Sequence, residues 1–345
     1  MEKKLILVTG GTGYIGSHTV VELQQAGYEV VIIDNLSNSN IEVLDGIESI
    51  TGIRPAFVEG DVTDIDTLRK LFREYPGIKG IINFAASKAV GESIQKPILY
   101  YRNNLVSLLN LLELMPEFGV EGIVFSSSCT VYGEPDTNPV TEKTPCKPAT
   151  SPYGNTKQIS EEIITDAVDS GAPFRSILLR YFNPVGAHPS ANIGELPNGV
   201  PQNLIPYLTQ TAIGIRKQLS VFGNDYPTPD GSCIRDFIDV VDLARAHVMA
   251  MGRILGDEMT SPVEIFNLGT GRGVSVLELI DTFEKATGVK VPYTIVERRP
   301  GDIIKVWADP SLAAEVLGWK AVIPLSETMR NAWRWQQRLR DKGVK

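Results

Sequence analysis

The chain has 345 residues, of which 43% are hydrophobic and 21% are charged, so it can bury a large core and form two lobes. Its net charge of −8 argues against a nucleic-acid partner or an anionic membrane surface. The three cysteines lack CxxC pairing, the three histidines are scattered, and no apolar run reaches the length of a signal sequence or a membrane span. We therefore expect a cytoplasmic protein with no metal site and no membrane partner.

The first half of the chain alternates short apolar runs with amphipathic stretches. We predict strands in KLILVTG, YEVVIIDN, PAFVEGDV, IKGIINFAA, VEGIVFSSS and FRSILLRYFN. Helical patterns lie between them, above all in YIGSHTVVELQQAG, PILYYRNNLVSLLNLLELM and NTKQISEEIITDAVDSG. Apolar strands that alternate with helices are typical of a parallel sheet covered on both faces. The predicted class is α/β, a Rossmann-type doubly wound parallel sheet with a smaller C-terminal α/β lobe.

The pattern changes after Asn183, where PVGAHPSANIGELPNGVPQ reads as a long and therefore functional loop. A helix is predicted in NLIPYLTQTAIGIRK, and another from Ser275, which forms a capping box with Glu278, to Gly288. The tail LSETMRNAWRWQQRLR predicts a surface helix whose Trp333 serves packing. We expect a dinucleotide-binding lobe at 1–183, to which segments near 234–270 can return, and a substrate-binding lobe at 184–345.

The segment VTGGTGYIG follows the first predicted strand and opens the first predicted helix. It spaces Gly10, Gly13 and Gly16 so that backbone N–H groups can approach a pyrophosphate at a helix N-terminus. The spacing alone also fits a tight turn without a ligand, but this context favours a dinucleotide. Asp34 ends the second predicted strand, where a carboxylate can bind an adenosine ribose and repel a 2′-phosphate, which favours NAD over NADP.

Asp61 and Val62 close the third predicted strand in VEGDV. This pair can enclose an adenine, although an aspartate in an ordinary turn fits the sequence nearly as well.

SPYGNTK places Tyr153 and Lys157 four residues apart at the start of a predicted helix, so the two side chains share a face. A nearby ammonium lowers the pKa of a tyrosine, which can then exchange a proton with a sugar hydroxyl near neutral pH. Ser128 follows the fifth predicted strand, at the sheet edge where ligands bind, and its hydroxyl can hydrogen-bond the reacting oxygen. These three residue types suit the removal of a proton and a hydride from an alcohol.

The same spacing is found in Tyr75 and Lys79, but Pro76 and Gly77 between them break a helix. The spacing alone therefore does not identify a catalytic pair. The alternative interpretation of Tyr153 and Lys157 is an ordinary pair of residues on a helix surface. The serine run has no visible histidine–acid partner set, which argues against acyl transfer of the serine-protease kind.

With these motifs the sequence resembles the extended short-chain dehydrogenase/reductase family and, within it, the UDP-glucose 4-epimerases. The resemblance covers nearly the whole chain. It is carried by TGGTGYIGSHT, DNLSNS, FVEGDV, AASKAVGESIQKP, FSSSCTVYG, SPYGNTK, LRYFNPVGAHPS, NLIPY, FGNDYPTPDGSCIRDFIDV and NLGTG. Few other families share YFNPVGAHPS and FGNDYPTPDG, so this set of motifs is specific.

The resemblance implies interconversion of UDP-galactose and UDP-glucose with NAD as a cofactor that stays bound. Tyr153 would take the proton of the sugar 4-hydroxyl while C4 gives hydride to NAD. The 4-keto sugar would rotate about its link to the diphosphate and receive the hydride on its opposite face. Ser128 would assist the proton transfer, and Lys157 would lower the Tyr153 pKa and hydrogen-bond the nicotinamide ribose.

The resemblance also implies two sets of binding residues. The cofactor would be bound by Gly10, Gly13, Tyr14, Ile15, Gly16, Asp34, Asn35, Asn38, Ser39, Asp61, Val62, Phe84, Ala85, Ala86, Lys88, Asn103, Tyr153, Lys157 and Tyr181. The UDP-sugar would be bound by Lys88, Ser128, Tyr153, Asn183, Asn203, Leu204, Phe222, Arg235, Arg299, Asp302 and Val306. Arginines pair with diphosphates and asparagine amides bind uracil or sugar hydroxyls, although the residues alone leave Arg235 and Arg299 as candidate surface charges.

Two positions depart from the family pattern. Cys129 stands where the family more often has alanine, and we interpret it as tolerated packing. Val306 borders the sugar C2 substituent in the family, where a tyrosine accompanies glucose-only enzymes. Because valine is small, we hypothesise that UDP-GlcNAc and UDP-GalNAc also fit, with a modest effect on discrimination.

Alternative functions are another nucleotide-sugar epimerase, a 4,6-dehydratase of the same family and a non-catalytic NAD-binding sensor. Dehydration needs an extra carboxylate pair beside the serine, where this chain has Cys129 and Thr130. A sensor would not need Ser128, Tyr153 and Lys157 together. The family commonly forms homodimers, for which LVSLLNLLELM could serve, but the same apolar stripe could be buried against the sheet.

Overall fold

The computed structural model describes residues 3–299 and 302–344, so the outer limits of the two predicted lobes, at residues 1 and 345, lie outside it. Fourteen strands lie in this part of the chain. They are β1 (Leu5–Thr9), β2 (Glu29–Asp34), β3 (Ala56–Glu59), β4 (Ile78–Asn83), β5 (Gly122–Ser126), β6 (Arg175–Tyr181), β7 (Asn183–Val185), β8 (Leu219–Phe222), β9 (Ile234–Arg235), β10 (Phe237–Asp239), β11 (Val263–Leu268), β12 (Val274–Ser275), β13 (Tyr293–Val296) and β14 (Lys305–Val306).

Ten α-helices connect these strands within the described ranges. They are α1 (Tyr14–Gln25), α2 (Val43–Thr51), α3 (Ile65–Glu74), α4 (Val90–Gln95), α5 (Pro97–Phe118), α6 (Pro152–Asp169), α7 (Leu204–Ala212), α8 (Val240–Leu255), α9 (Val276–Thr287) and α10 (Leu325–Asp341). A 3₁₀ turn follows β5 at Cys129–Tyr132, and a π-helical turn lies at Ala313–Leu317. None of the helices described is both long and apolar enough to cross a membrane.

Seven strands form one parallel sheet in the order β11-β6-β5-β4-β1-β2-β3. This order contains the doubly wound arrangement 3-2-1-4-5-6, in which the order reverses between β1 and β4. The strand interiors are apolar because helices cover both faces: α1, α2 and α8 bury one face, and α3, α5 and α6 bury the other. The predicted fold class is confirmed.

The strand β11 belongs to this sheet but comes from the part of the chain that follows Asn183. It pairs with β6 over six residues, and α8 before it packs on the face of α1, so the segment from Val240 to Leu268 builds onto the sheet formed by the first half of the chain.

A second core lies around α7, α9 and α10. Small sheets surround it: β7 pairs with β10, β8 pairs with β13, and β9 lies between β12 and β14. Trp333 of α10 meets Phe283 of α9 edge to face at 5.8 Å, so its predicted packing role is confirmed. Ser275 accepts a hydrogen bond from the Glu278 N–H at 3.0 Å, but the Glu278 carboxylate pairs with Arg272, so the predicted capping box is half formed. As predicted, α9 stops at Gly288, which has the left-handed conformation.

Several predicted element ends differ from the structure. The strand expected to reach Ala86 ends at Asn83, because the Ala85 N–H donates to the Thr9 hydroxyl. The helix expected to reach Lys217 ends at Ala212, because Gly214 has a φ of +86° and the N–H groups of Ile215 and Arg216 turn back to the Gln210 carbonyl. Asp61 does not close β3, which ends at Glu59. Its carboxylate instead caps the following turn by accepting hydrogen bonds from Thr63 N and Oγ1 at 2.8 and 2.7 Å.

Candidate active site

The glycine turn joins β1 to α1 at the point where the strand order reverses. Gly10 has a φ of +68°, and a Cβ there would meet the Ala85 nitrogen at 2.9 Å. A Cβ on Gly16 would meet the Gly10 carbonyl oxygen at 2.3 Å, whereas one on Gly13 would meet it at 3.1 Å. Since Gly13 precedes α1 and has no side-chain oxygen to cap it, the first N–H groups of the helix suit an anion such as a diphosphate. Ile15, in the first turn of α1, packs against the core beneath the sheet.

Asp34 lies at the end of β2 beside this turn. Its carboxylate accepts hydrogen bonds from Thr12 N at 3.2 Å, Leu36 N at 3.0 Å and Ser39 Oγ at 3.0 Å. Asn35 donates to Asp61 at 3.0 Å, which joins the ends of β2 and β3. Asp34 thus ends β2, and the segments that follow β2 and β3 contain Asn35, Asn38, Ser39, Asp61 and Val62.

The loop after β4 faces the glycine turn. Phe84 N donates to the Thr9 carbonyl at 3.1 Å, and Ala85 N donates to Thr9 Oγ1 at 3.2 Å, which fixes Phe84, Ala85 and Ala86 at the sheet edge. Lys88 lies farther along, with its Nζ 6.0 Å from the centre of the Tyr14 ring. Asn103 on α5 donates to Ser87 Oγ at 3.1 Å.

Ser128, Tyr153 and Lys157 come together beyond the end of β5. Ser128 begins the 3₁₀ turn and accepts a hydrogen bond from Thr130 N at 3.2 Å. Ser151 caps α6 through Gly154 N at 3.1 Å, which places Tyr153 in the first turn and Lys157 one turn later. The Lys157 Nζ donates to the Ser126 carbonyl at 2.7 Å and lies 5.9 Å from the centre of the Tyr153 ring. The expected shared face of Tyr153 and Lys157 is therefore present.

Burial controls the electrostatics of this cluster. Burial raises the pKa of Tyr153 well above its ordinary value, Tyr181 adds to the rise, and the Ser128 hydroxyl opposes it. Burial lowers the pKa of Lys157 to about 8, and the Glu161 carboxylate opposes that change. Burial also raises the pKa of Tyr181 to about 12, and the Tyr181 hydroxyl accepts from Ser126 Oγ at 2.9 Å. In this structure Tyr153 is thus a protonated phenol. The pKa shift is opposite to the lowering that the sequence analysis expects from Lys157, because burial of the phenol dominates.

The other wall of the cleft comes from the second lobe. Asn183 begins β7, and its N–H donates to the Asp236 carbonyl at 2.9 Å. Asn203 precedes α7, and its amide donates to Glu195 Oε1 at 2.6 Å. Leu204, the first residue of α7, packs against the second core.

A group of charged residues lies next to this wall. The Arg299 guanidinium is 4.1 Å from the centre of the Phe222 ring at the end of β8. Arg235 donates to Asp302 Oδ1 at 3.4 Å. Val306 is the residue paired with Arg235 in the parallel β9–β14 ladder, and its side chain is buried in a cluster with Cys129. The β9–β14 ladder thus places Arg235 beside Val306, and Val306 packs near Cys129, the residue that follows Ser128.

Sequence reasoning missed four polar residues around the cleft, of which Asp236, His247 and Glu161 are buried and Glu195 is half-buried. Glu195 accepts from Asn203 and lies 3.6 Å from the Lys88 Nζ, so one carboxylate joins the two walls. Asp236 accepts from Thr270 Oγ1 at 2.6 Å and thereby anchors the segment after β11. His247 on α8 packs 4.7 Å from the Phe84 ring. The fourth, Glu161, continues the four-residue spacing of Tyr153 and Lys157, which is the one sequence signal that could have found any of them.

Comparisons with known proteins agree with this geometry. A family model described as GDP-mannose 4,6 dehydratase matches residues 7–332. The UDP-glucose 4-epimerase of Bacillus subtilis (strain 168) is 52% identical over 331 residues, which cover 96% of both chains. The chain belongs to the UDP-glucose 4-epimerase family.

Crystal structures of this epimerase family have nearly the same backbone. The UDP-glucose-4-epimerase of Stenotrophomonas maltophila, with bound NAD and formylated UDP-arabinopyranose, has a TM-score of 0.94 and 47% identity, covering 98% of this chain and 99% of that one. The enzyme of Bifidobacterium longum, in complex with NAD+ and UDP, has a TM-score of 0.92 and 46% identity over 97% of this chain and 98% of its own. Epimerase relatives thus hold the two ligand classes that the sequence predicts.

Proposed function

We propose that the chain interconverts UDP-galactose and UDP-glucose by inversion at C4, with a bound NAD. The observation that carries the proposal is the meeting of Ser128, Tyr153 and Lys157 at the carboxyl edge of the sheet, opposite the glycine turn. The full-length similarity to 4-epimerases supports the substrate class.

The residues of the turn fit NAD. A side chain on Gly10 or Gly16 would occupy backbone space, so these glycines keep the turn tight enough for its N–H groups to hold a diphosphate. The Asp34 carboxylate is in position to accept from ribose hydroxyls and to disfavour a 2′-phosphate. Bound there, NAD would take up hydride from the sugar C4 and return it.

Tyr153 is the acid and base of this reaction. Its phenol must lose a proton before it can take one from the sugar 4-hydroxyl, and burial alone opposes that loss. The Lys157 ammonium, 5.9 Å from the ring centre, favours the phenolate, and Ser128 supplies a second hydrogen bond for the shared proton. Since Tyr153 and Lys157 are almost completely buried, their charges act with little screening by water.

The charged wall of the cleft suits a nucleoside diphosphate. Arg235, Arg299 and Lys88 supply cations for the diphosphate, and Asn183 and Asn203 supply amides for hydroxyl or carbonyl groups. The stacking of Arg299 on Phe222 and the bond of Arg235 to Asp302 restrict the two guanidinium groups before the ligand arrives.

The 4,6-dehydratase alternative is weaker. Cys129 and Thr130 follow Ser128, and burial raises the pKa of the Cys129 thiol to about 12, so neither residue supplies the carboxylate chemistry that dehydration needs.

The proposal is tested with the variant Tyr153→Phe. We expect turnover of UDP-galactose to fall by about 10²- to 10⁴-fold, while UDP binding measured by calorimetry is unchanged. Tyr75→Phe is the matched control, because Tyr75 has the same spacing to Lys79 but ends α3 away from the cleft, and it should keep full turnover. Full turnover in Tyr153→Phe would refute the proposal.

We also propose that N-acetylated UDP-sugars are substrates. Support comes from Val306, whose short side chain lies in the cluster that contains Cys129, next to Ser128. A tyrosine at this position would reach beyond the space that valine fills.

The organisation of the chain follows from the same proposal. We propose that residues 1–183, together with the returning segment that ends in β11, form the NAD-binding lobe and that 184–345 supply the UDP-sugar lobe. The β11–β6 pairing supports this division. Cytoplasmic location is proposed because Cys129, Cys146 and Cys233, all in the described chain, are unpaired.

We propose that two copies of the chain associate through α5. Leu108, Leu111 and Met115 bury one side of this helix against the sheet, whereas Ile98 and Leu109, three turns apart on the other side, are exposed. Light scattering tests this: Leu109→Asp should halve the molar mass of the wild-type particle. A wild-type mass of one chain would contradict the proposal.

A further inference from the structure

Glu161 continues the reactive face of α6. It lies four residues after Lys157 and eight after Tyr153, so the three side chains follow one another on the same side of the helix. Its carboxylate is buried and accepts hydrogen bonds from Ser127 Oγ at 2.5 Å and from the Arg180 guanidinium at 2.6 and 2.9 Å.

Arg180 carries this contact into the sheet. It lies on β6 directly before Tyr181, and its guanidinium also donates to the Tyr132 hydroxyl at 3.0 Å. Tyr132 in turn donates to Asn267 of β11 at 2.7 Å. A single carboxylate therefore connects α6 with the end of β5, with β6 and, through Tyr132, with β11.

The contact with Ser127 brings the hydrogen-bonded group of Glu161, Arg180 and Tyr132 next to the segment that contacts Lys157 and Tyr153. Ser127 stands between Ser126, whose carbonyl accepts from the Lys157 ammonium, and Ser128, which faces Tyr153. Moving the strand end relative to α6 would disturb both contacts together. Holding Ser127 therefore fixes the Lys157 ammonium and the Ser128 hydroxyl in one geometry.

We propose that Glu161 is a positioning residue of the active site: through Ser127 and Arg180 it holds the Ser126–Ser128 segment against α6, and its negative charge keeps the buried Lys157 as an ammonium. The inference rests on the proposed function, since it explains how the lysine stays charged where the phenolate needs it.

The charges around Lys157 support this assignment. The titratable side chains that act on Tyr153 or Lys157 are Glu161 of α6, Tyr100 of α5, Cys129 of the 3₁₀ turn and Tyr181 of β6. Farther out, Glu92 of α4 accepts from the Tyr100 hydroxyl, and Arg180 of β6 pairs with Glu161 and donates to Tyr132. Burial lowers the pKa of Lys157 to about 8, and among the described residues Glu161 is the group whose charge opposes this. Without that charge the lysine would lose its proton at a lower pH.

The main test is Glu161→Gln, which keeps a hydrogen-bond acceptor for Ser127 and removes the charge. The titration of Lys157 is read by ¹³C NMR of the protein labelled at lysine Cε, with the signal assigned by its absence in Lys157→Met. We expect the Lys157 titration midpoint to fall by about one pH unit. The basic limb of kcat/KM for UDP-galactose should move by the same amount, so that turnover at high pH falls by up to about tenfold.

Glu264→Gln is the matched control. Glu264 is equally buried, pairs with Arg253 at 2.6 and 2.9 Å and accepts from the Thr260 hydroxyl at 3.2 Å, but it lies on β11 at the opposite end of the strands. Its loss should lower stability and leave the Lys157 midpoint in place. An equal shift in this control would overturn the proposal.

A second variant covers the case in which Glu161→Gln does not fold. In the double variant Glu161→Met and Arg180→Met, two apolar side chains replace the buried pair, an exchange that proteins often tolerate. A lowered Lys157 midpoint in this folded protein supports the proposal, and an unchanged midpoint in it or in Glu161→Gln overturns it. Because the NMR midpoint does not depend on turnover, failure of wild-type protein to convert UDP-galactose would count against the proposed function alone.

Discussion

Gly16 is the glycine of the turn where an added methyl group has the least space. Its Cβ would lie 2.3 Å from the Gly10 carbonyl oxygen and 2.9 Å from the Gly11 Cα, whereas ordinary van der Waals contact begins at 3.4 Å. The obstructing atoms are backbone, so the turn itself must move by about 1 Å. Forced overpacking of this kind costs up to about 3 kcal/mol, and the better helix propensity of alanine offsets about 1 kcal/mol. We expect Gly16→Ala to reduce the free energy of unfolding by about 2 kcal/mol.

The same movement should weaken NAD binding, because Gly10 and Gly13 share the displaced turn. The Gly13 N–H donates to the Gly10 carbonyl at 3.0 Å, so the anion-binding N–H groups move with it. The assay is denaturant unfolding together with the amount of NAD that stays with the purified protein. Gly16→Ala should be purified with little or no NAD and should regain activity only with excess NAD.

Gly91 provides a matched control in another helix. It lies in α4, is exposed, and a Cβ there would meet no atom within 4 Å. Gly91→Ala should therefore stabilise the protein by about 0.5 to 1 kcal/mol and retain the cofactor. If Gly16→Ala were as stable as Gly91→Ala and kept its NAD, the steric argument for the turn would be refuted.

Three further predictions concern other parts of the site. Burial lowers the pKa of His247 to about 4, below its value of 6.5 in an unfolded chain, so the unfolded state binds more protons and stability falls as the pH drops below about 6.5. Between pH 6.5 and 5 this lowers the free energy of unfolding by about 1.6 kcal/mol. Urea unfolding should show that His247→Phe does not have this loss, whereas an equal loss would contradict the prediction. Val306→Tyr should remove turnover of UDP-GalNAc and keep that of UDP-galactose; equal loss of both would argue against a role at C2. Arg235→Lys should weaken UDP binding about tenfold by calorimetry, since a lysine cannot form the planar two-point contact, and unchanged affinity would exclude Arg235 from the diphosphate site.

The main sheet could be predicted from the sequence because its strands are buried on both faces. Six apolar runs predicted β1 to β6 within one or two residues, apart from the ends of β3 and β4, which were each predicted three residues too late. The glycine turn and the Tyr153–Lys157 pair are each formed by residues that are close in the sequence. Their geometry therefore follows directly from the number of residues between them.

The second lobe could not be predicted in the same way. Its strands β9 and β14 have two residues each, which is too short for any periodic pattern, yet their pairing sets Val306 beside Arg235. Glu195 contacts Lys88 and Asn203 from a long irregular loop, held by the bond of Trp335 Nε1 to its carbonyl at 2.9 Å. Such contacts depend on the packing of segments that are distant in the sequence, so no local sequence pattern predicts them.

If this chain is a 4-epimerase that carries its own NAD, it needs no added cofactor. The most direct measurement is to incubate the purified protein with UDP-galactose, without added NAD, and to separate the products by chromatography. Formation of UDP-glucose up to a fixed ratio of the two sugars, with no consumption of added cofactor, is the predicted result. No conversion, either as purified or after NAD is added, would contradict the assignment of UDP-galactose as the substrate.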